Sequence, residues 1–93
     1  MEKIPDMELI DKARAGDPVA FGNLADRYYM TVYRYAFKWC RYREDAEDIT
    51  QEVFIEVYNS ISHFRGDSKL STWLYRISVN KSLDFIRRKN RKK

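Results

Sequence analysis

Apolar side chains recur along this chain at helical rather than strand spacing. Phe21, Leu24, Tyr28, Val32, Tyr35 and Trp39 follow one another at intervals of three or four residues, which places all six on one face of a helix. That helix is predicted to open at Asp17-Pro18 and to end near Arg41, after about 22 residues. Asp17 can accept a hydrogen bond from a free backbone N–H, and proline at the first helical position gives up none. Upstream, Leu9, Ile10 and Ala13 supply a shorter apolar face to a helix from about Met7 to Ala15. Asp6 is expected to cap it, and Gly16, which enters the left-handed conformation without strain, to stop it.

Downstream, Ala46, Ile49, Val53 and Val57 line a third helix from about Glu44 to Tyr58. Glu44, Asp45, Glu47 and Asp48 crowd its first turns, where carboxylates favour the positive end of the helix dipole. No period runs between Asn59 and Ser71, and the polar stretch from Ser62 to Lys69 holds a glycine, so this is a loop. Ser71 or Thr72 is expected to cap a fourth helix reaching about Lys89, with residues 90–93 fraying. At 100° per residue, Leu70, Leu74, Ile77 and Phe85 form its core side, while Tyr75, Val79, Leu83 and Ile86 fall roughly opposite. Such a helix is wedged between neighbours. Between these faces runs a third strip of Trp73, Arg76, Asn80, Asp84 and Arg87. With no strand pattern, repeat or linker, the expected fold is all-α: one domain over residues 1–93, a compact bundle of about four helices with a polar loop before the last.

Composition narrows the function. The 2 Trp, 7 Tyr and 5 Phe enrich the core of a 93-residue chain, and 3 Gly and 2 Pro argue against a many-turned β-sandwich. No apolar run approaches the ~18 residues of a membrane span, and no secretory leader is recognisable, which points to a cytoplasmic protein without a membrane partner. Cys40 alone cannot form an internal disulfide, and His63 alone leaves no Cys/His metal cluster. No nucleophile–base set surrounds either residue, so nothing indicates an enzyme, a metal or a cofactor. The carboxylates of the third helix lack the oxygen-ligand loop of a calcium site. Arg65-Gly66-Asp67 spells a cell-adhesion tripeptide, but three residues recur by chance.

The net charge of +4 is distributed unevenly. Residues 44–61 carry Glu44, Asp45, Glu47, Asp48, Glu52 and Glu56 and no basic group. Residues 81–93 set Lys81, Arg87, Arg88, Lys89, Arg91, Lys92 and Lys93 against Asp84 alone. Such polarity suits a polyanion at one end and a basic partner at the other, although two solvated helix faces would read the same. The basic end looks cut off, as in a fragment of a longer chain. The strip from Trp73 to Arg87 suits nucleic acid: arginine pairs phosphate or guanine, asparagine reads adenine or backbone, and tryptophan stacks. Helix geometry by itself equally permits a core Trp73 and solvated arginines.

Two segments carry a family resemblance. Asp45-Ala46-Glu47-Asp48-Ile49-Thr50-Gln51-Glu52-Val53-Phe54 is similar to the acidic polymerase-binding helix of region 2 of bacterial RNA polymerase sigma factors, with its D-x-x-Q-E core. Phe64-Arg65-Gly66-Asp67-Ser68, then Ser71-Thr72-Trp73-Leu74-Tyr75-Arg76-Ile77 and Asn80, resembles the promoter-melting loop and recognition helix of the extracytoplasmic-function (ECF) group. Ala15-Gly16-Asp17 with Ala20-Phe21 also looks like that family's opening signature. Lys69-Leu70 fills a position that varies in the family, and the second DNA-binding domain, a helix-turn-helix, is missing.

The resemblance implies that Asp45, Asp48, Gln51 and Glu52 dock on a basic coiled coil of the largest subunit of core RNA polymerase. Positions 48, 51, 52 and 55 share one helical face, and Ile55 and Tyr58 would add apolar contact. It also implies that a base of the single-stranded minus-ten element flips into a pocket made by Phe64, Arg65, Gly66, Asp67, Ser68 and Lys69, which must offset a few kcal/mol of unstacking. Trp73 would sit against the promoter fork, Arg76 and Asn80 would read the duplex edge, and Lys81, Arg87, Arg88 and Lys89 would contact phosphates. An anti-sigma factor is a further expected partner. The alternative is a helical protein-binding module whose basic tail merely confers solubility.

Overall fold

Local signals account for the junction between the first two helices. A computed structural model describes residues 4–91 as four α-helices, α1 (Asp6–Arg14), α2 (Pro18–Cys40), α3 (Arg43–Ser60) and α4 (Leu70–Arg91), with a short 3-10 helix at Ile61–His63. The all-α expectation holds. At the start of α2 the Asp17 carboxylate accepts hydrogen bonds from the N–H groups of Val19 (2.9 Å) and Ala20 (3.3 Å), as the sequence requires. Gly16 lies at φ 99° just past α1, where its missing Cβ avoids strain. Arg41 closes α2 from the left-handed region, φ 63°, its N–H donating to the Phe37 carbonyl at 2.9 Å.

Several expectations are corrected. Asp6 does not cap α1: Pro5 holds that position, and the Asp6 carboxylate instead accepts from Arg27 at 2.9 Å and from the Tyr28 hydroxyl. It ties α1 to α2, and burial together with this bond pushes the Tyr28 hydroxyl up to about 12. Helix α4 begins one residue before Ser71, with the Lys69 carbonyl accepting from the N–H groups of Thr72 and Trp73, so neither Ser71 nor Thr72 is its cap. Asn90 and Arg91 are helical rather than frayed, and Lys92 and Lys93 lie outside the described residues.

The core departs from the apolar stripes where small residues let helices approach. In α2 the buried line is Ala20, Leu24, Val32, Ala36 and Cys40, while Trp39 is 42% exposed. In α4 it is Leu70, Leu74, Ser78 and Ser82, with Ile77 and Phe85 only partly buried. Two of the buried hydroxyls bond back to their helix: Ser78 donates to the Leu74 carbonyl at 2.7 Å, and Thr50 of α3 to the Ala46 carbonyl at 2.7 Å, whereas the Ser82 hydroxyl is buried with no hydrogen-bond partner among the described residues. Ile61 and Phe64 then plug the bottom of the core from the segment the sequence reads as loop.

Ring and ion contacts fix the helix directions. Phe21 meets Tyr58 and Tyr29 meets Phe54, so α2 and α3 run antiparallel. Asp45 meets Lys89 and Glu56 meets Lys81, so α3 and α4 are antiparallel too. Helices α2 and α4 therefore run parallel, joined by Tyr35 and Tyr75 at 5.0 Å between ring centroids. As expected, α4 is wedged against both neighbours.

Candidate functional site

Helix α3 has three sides. Ala46, Ile49, Thr50, Val53 and Val57 face the core. Asp48, Gln51, Ile55 and Tyr58 lie along one solvent line, the last two each 62% exposed. An isoleucine and a tyrosine held this far out contribute little to folding and are available to a partner. Beside them the α2 side chains Phe21, Ala25 and Tyr29 and the α3 ring of Phe54 complete an apolar groove, with Gln51 at its edge. Sequence reasoning missed the α2 wall. Its only signal is that Tyr29 lies one position off the α2 stripe, with no core role to explain it.

The third side of α3 is a seam. Asp45 accepts from Lys89 Nζ at 2.7 Å, and both Glu52 oxygens accept from Arg88 Nη2 at 3.0 and 3.1 Å. Glu56 lies 3.6 Å from Lys81 Nζ. The Ser60 hydroxyl, and then Lys81, hold the Glu56 carboxyl below the usual carboxylate range, and the Asp45 carboxylate raises the Lys89 ammonium. Thus Asp45 and Glu52, expected to share the docking face with Asp48, turn aside from it to meet α4. Half of the acidic groups in the block that the sequence assigns to an outside partner, Asp45, Glu52 and Glu56, are instead neutralised by the basic block within the fold.

The loop and α4 form the other surface. Phe64 is 5% exposed, its ring 4.9 Å from that of Trp73, so the two make a floor under the loop rather than an open stacking surface. Arg65, Gly66, Asp67 and Lys69 are exposed above it, Ser68 is half-buried, and Gly66 turns the chain at φ 79°. Arg76, Asn80, Asp84 and Arg87 are exposed along one strip of α4. The Asn80 amide makes no hydrogen bond within the described residues. Arg87 approaches Asp84 at 3.7 Å, an exposed pair worth little. Lys81 and Arg88, expected on this surface, point into the seam instead. No helix among the described residues is long and apolar enough to cross a membrane, and none of their carboxylate, histidine and cysteine groups converge on a metal site.

Known proteins resemble this chain in sequence and in fold. Residues 24–92 match the Sigma-70 region 2 family. The chain is 37% identical over 91 residues to the ECF RNA polymerase sigma-E factor of Haemophilus influenzae, covering 98% of this chain and 48% of that one. It is 40% identical over 80 residues to the ECF RNA polymerase sigma factor SigW of Bacillus subtilis, covering 86% and 43%. The chain therefore spans about half the length of these relatives. An engineered region 2 of sigmaE, solved by NMR in complex with GTAAAA, superposes with a TM-score of 0.92 at 33% identity, over 99% of this chain and 96% of that one. CnrH, solved in complex with the cytosolic domain of CnrY, superposes with a TM-score of 0.76 at 29% identity, over 85% and 51%.

Proposed function

This chain belongs to the Sigma-70 region 2 family, and from that premise we propose that it acts in bacterial transcription initiation through two separate faces. The line Asp48, Gln51, Ile55 and Tyr58 docks on a basic, partly apolar coiled coil of core RNA polymerase, with Asp45 and Glu52 at its flank. Charges at such an interface select the partner, while the groove beside Ile55 and Tyr58 supplies apolar burial. The loop from Arg65 to Lys69 receives a base of the minus-ten strand over the Phe64–Trp73 floor. Arg76 and Asn80 read base edges, and Arg87 contacts phosphate. Lys81 and Arg88 reach phosphate only by leaving their α3 carboxylates. A regulator of the anti-sigma kind would cover both faces at once; the complex of CnrH with the cytosolic domain of CnrY supports that partner class.

The observation that carries this reading is the exposed line on α3: two large apolar side chains beside Asp48, which has no ion pair among the described residues, on the face away from the seam. The test is a core-polymerase pull-down with Asp48→Lys combined with Ile55→Ala. The variant should lose polymerase yet retain its helical circular dichroism and its binding to single-stranded GTAAAA. Retention of polymerase by this variant would refute the docking face, and absence of GTAAAA binding by the parent would refute the DNA face.

A further inference from the structure

Phosphate contacts need cations that are not already neutralised. Lys81, Arg88 and Lys89 of α4 are paired with Glu56, Glu52 and Asp45 across the seam. The cations with no ion pair among the described residues include Arg34 and Lys38 on α2 and Arg41, which closes it, all exposed. Arg34 and Lys38 stand at i and i+4, hence on one helical face, and Arg41 follows at the C-terminal end of the same helix. Complementing the negative end of the helix dipole accounts for Lys38 and Arg41, but that effect fades beyond the last turn and does not reach Arg34.

The position of this face follows from the fold. Parallel helices that touch through Tyr35 and Tyr75 present residues on the same outer side when these are reached by opposite rotations from the two tyrosines. At 100° per residue, Arg34 and Lys38 lie about 60–100° to one side of Tyr35, and Arg76 and Arg87 about 100–120° to the other side of Tyr75. The two rows therefore share the surface opposite α3. Exposed Trp39 and Tyr75 lie along the junction between the helices. Packed helices sit ~8–10 Å apart, so rows projecting from both span a distance on the scale of a DNA groove, ~12 Å for the major and ~6 Å for the minor.

We infer that Arg34, Lys38 and Arg41 form a second row of phosphate-binding cations, so that duplex DNA upstream of the melted segment lies across the α2–α4 pair on the face opposite α3. This rests on the reading of α4 as the DNA helix and widens its surface to two helices. The loop that receives the single strand precedes α4, whereas the α2 row starts beside Tyr75 and runs away from that loop toward the C-terminal end of α4, which assigns this row to the duplex.

The test is fluorescence anisotropy at several salt concentrations with two probes: single-stranded GTAAAA, and a fork carrying the same single strand joined to one helical turn of upstream duplex. The variant combines Arg34→Gln, Lys38→Gln and Arg41→Asn, since asparagine tolerates the left-handed backbone at position 41. On the fork, the slope of log K against log salt should fall by up to ~0.9 for each phosphate that no longer meets a cation. Binding to GTAAAA alone should be unchanged, as should both affinities of a Lys12→Gln, Arg14→Gln control on α1. Arg34→Gln alone, a mid-helix surface change, should still lower the fork slope by the share of one cation, and it covers the case in which the triple variant fails to fold. An unchanged fork slope in both variants, or an equal fall in affinity for the two probes, overturns the inference while leaving the α4 reading intact. A parent that binds neither probe overturns both.

Discussion

Phe64→Ala separates a structural from a nucleic-acid role most sharply. The ring is 5% exposed and tilted at 34° against Trp73, with centroids 4.9 Å apart. Replacing a buried phenylalanine by alanine typically costs ~3–5 kcal/mol, of which aromatic pairing accounts for ~0.5–1.5. Phe64 sits at the start of a loop that can partly collapse, so a value near ~3 kcal/mol is expected. For a chain of this length that lowers the melting temperature by roughly 12–24 °C. The assay is urea and thermal denaturation followed by circular dichroism, with Phe64→Leu as a partner that should recover much of the loss. DNA binding is then compared well below the lowered melting temperature. There, GTAAAA affinity should fall only as far as the loop loses its floor. A stability loss no larger than the ~0.5 kcal/mol of ordinary surface changes would show that the ring is not a core plug and would refute this packing argument.

Three further outcomes are expected. Asn80→Ala should leave stability within ~0.5 kcal/mol, yet remove ~1–3 kcal/mol of discrimination between matched and scrambled minus-ten oligonucleotides, whereas Arg87→Ala should weaken both equally; the reverse pattern would invert the roles assigned along α4. Glu52→Gln should cost less than ~1 kcal/mol of stability, because the pair with Arg88 is solvent-exposed, and should steepen the salt dependence of GTAAAA binding by ~0.7 if Arg88 is thereby released; an unchanged slope would mean Arg88 does not reach phosphate. The Tyr28 hydroxyl, raised to about 12, favours the folded state fully below the ordinary tyrosine value of ~10, and that contribution fades as pH rises through 12. Alkaline absorbance titration should find one of the 7 tyrosines ionising last, together with loss of helical signal, and earlier in Asp6→Asn; seven tyrosines titrating as one would contradict the Asp6 hydrogen bond.

The site was legible to different depths. Asp48, Gln51, Ile55 and Tyr58 could be read as one face because helical periodicity alone places them together, and Arg76, Asn80 and Arg87 for the same reason. Phe64 could not be placed from sequence, because a phenylalanine in an aperiodic polar stretch serves equally as a plug or as an exposed stacking surface. The α2 wall of the groove and the α2 cations were illegible, since their neighbours come from other helices.

By itself the sequence determined what local physics controls: four helices, the Asp17 cap and Gly16 stop, the apolar faces of α1 and α3, and the polarity of charge along the chain. Tertiary structure alone decided which charges remain available. Running α3 antiparallel to α4 sets Asp45, Glu52 and Glu56 against Lys89, Arg88 and Lys81, and no local rule foresees that pairing. It also buried Ser78 and Ser82 in place of larger apolar residues, because close helix approach rewards small side chains more than hydrophobic ones. Periodicity reports the face on which a side chain lies, whereas its environment depends on which helix arrives opposite, and that is settled only when the whole bundle packs.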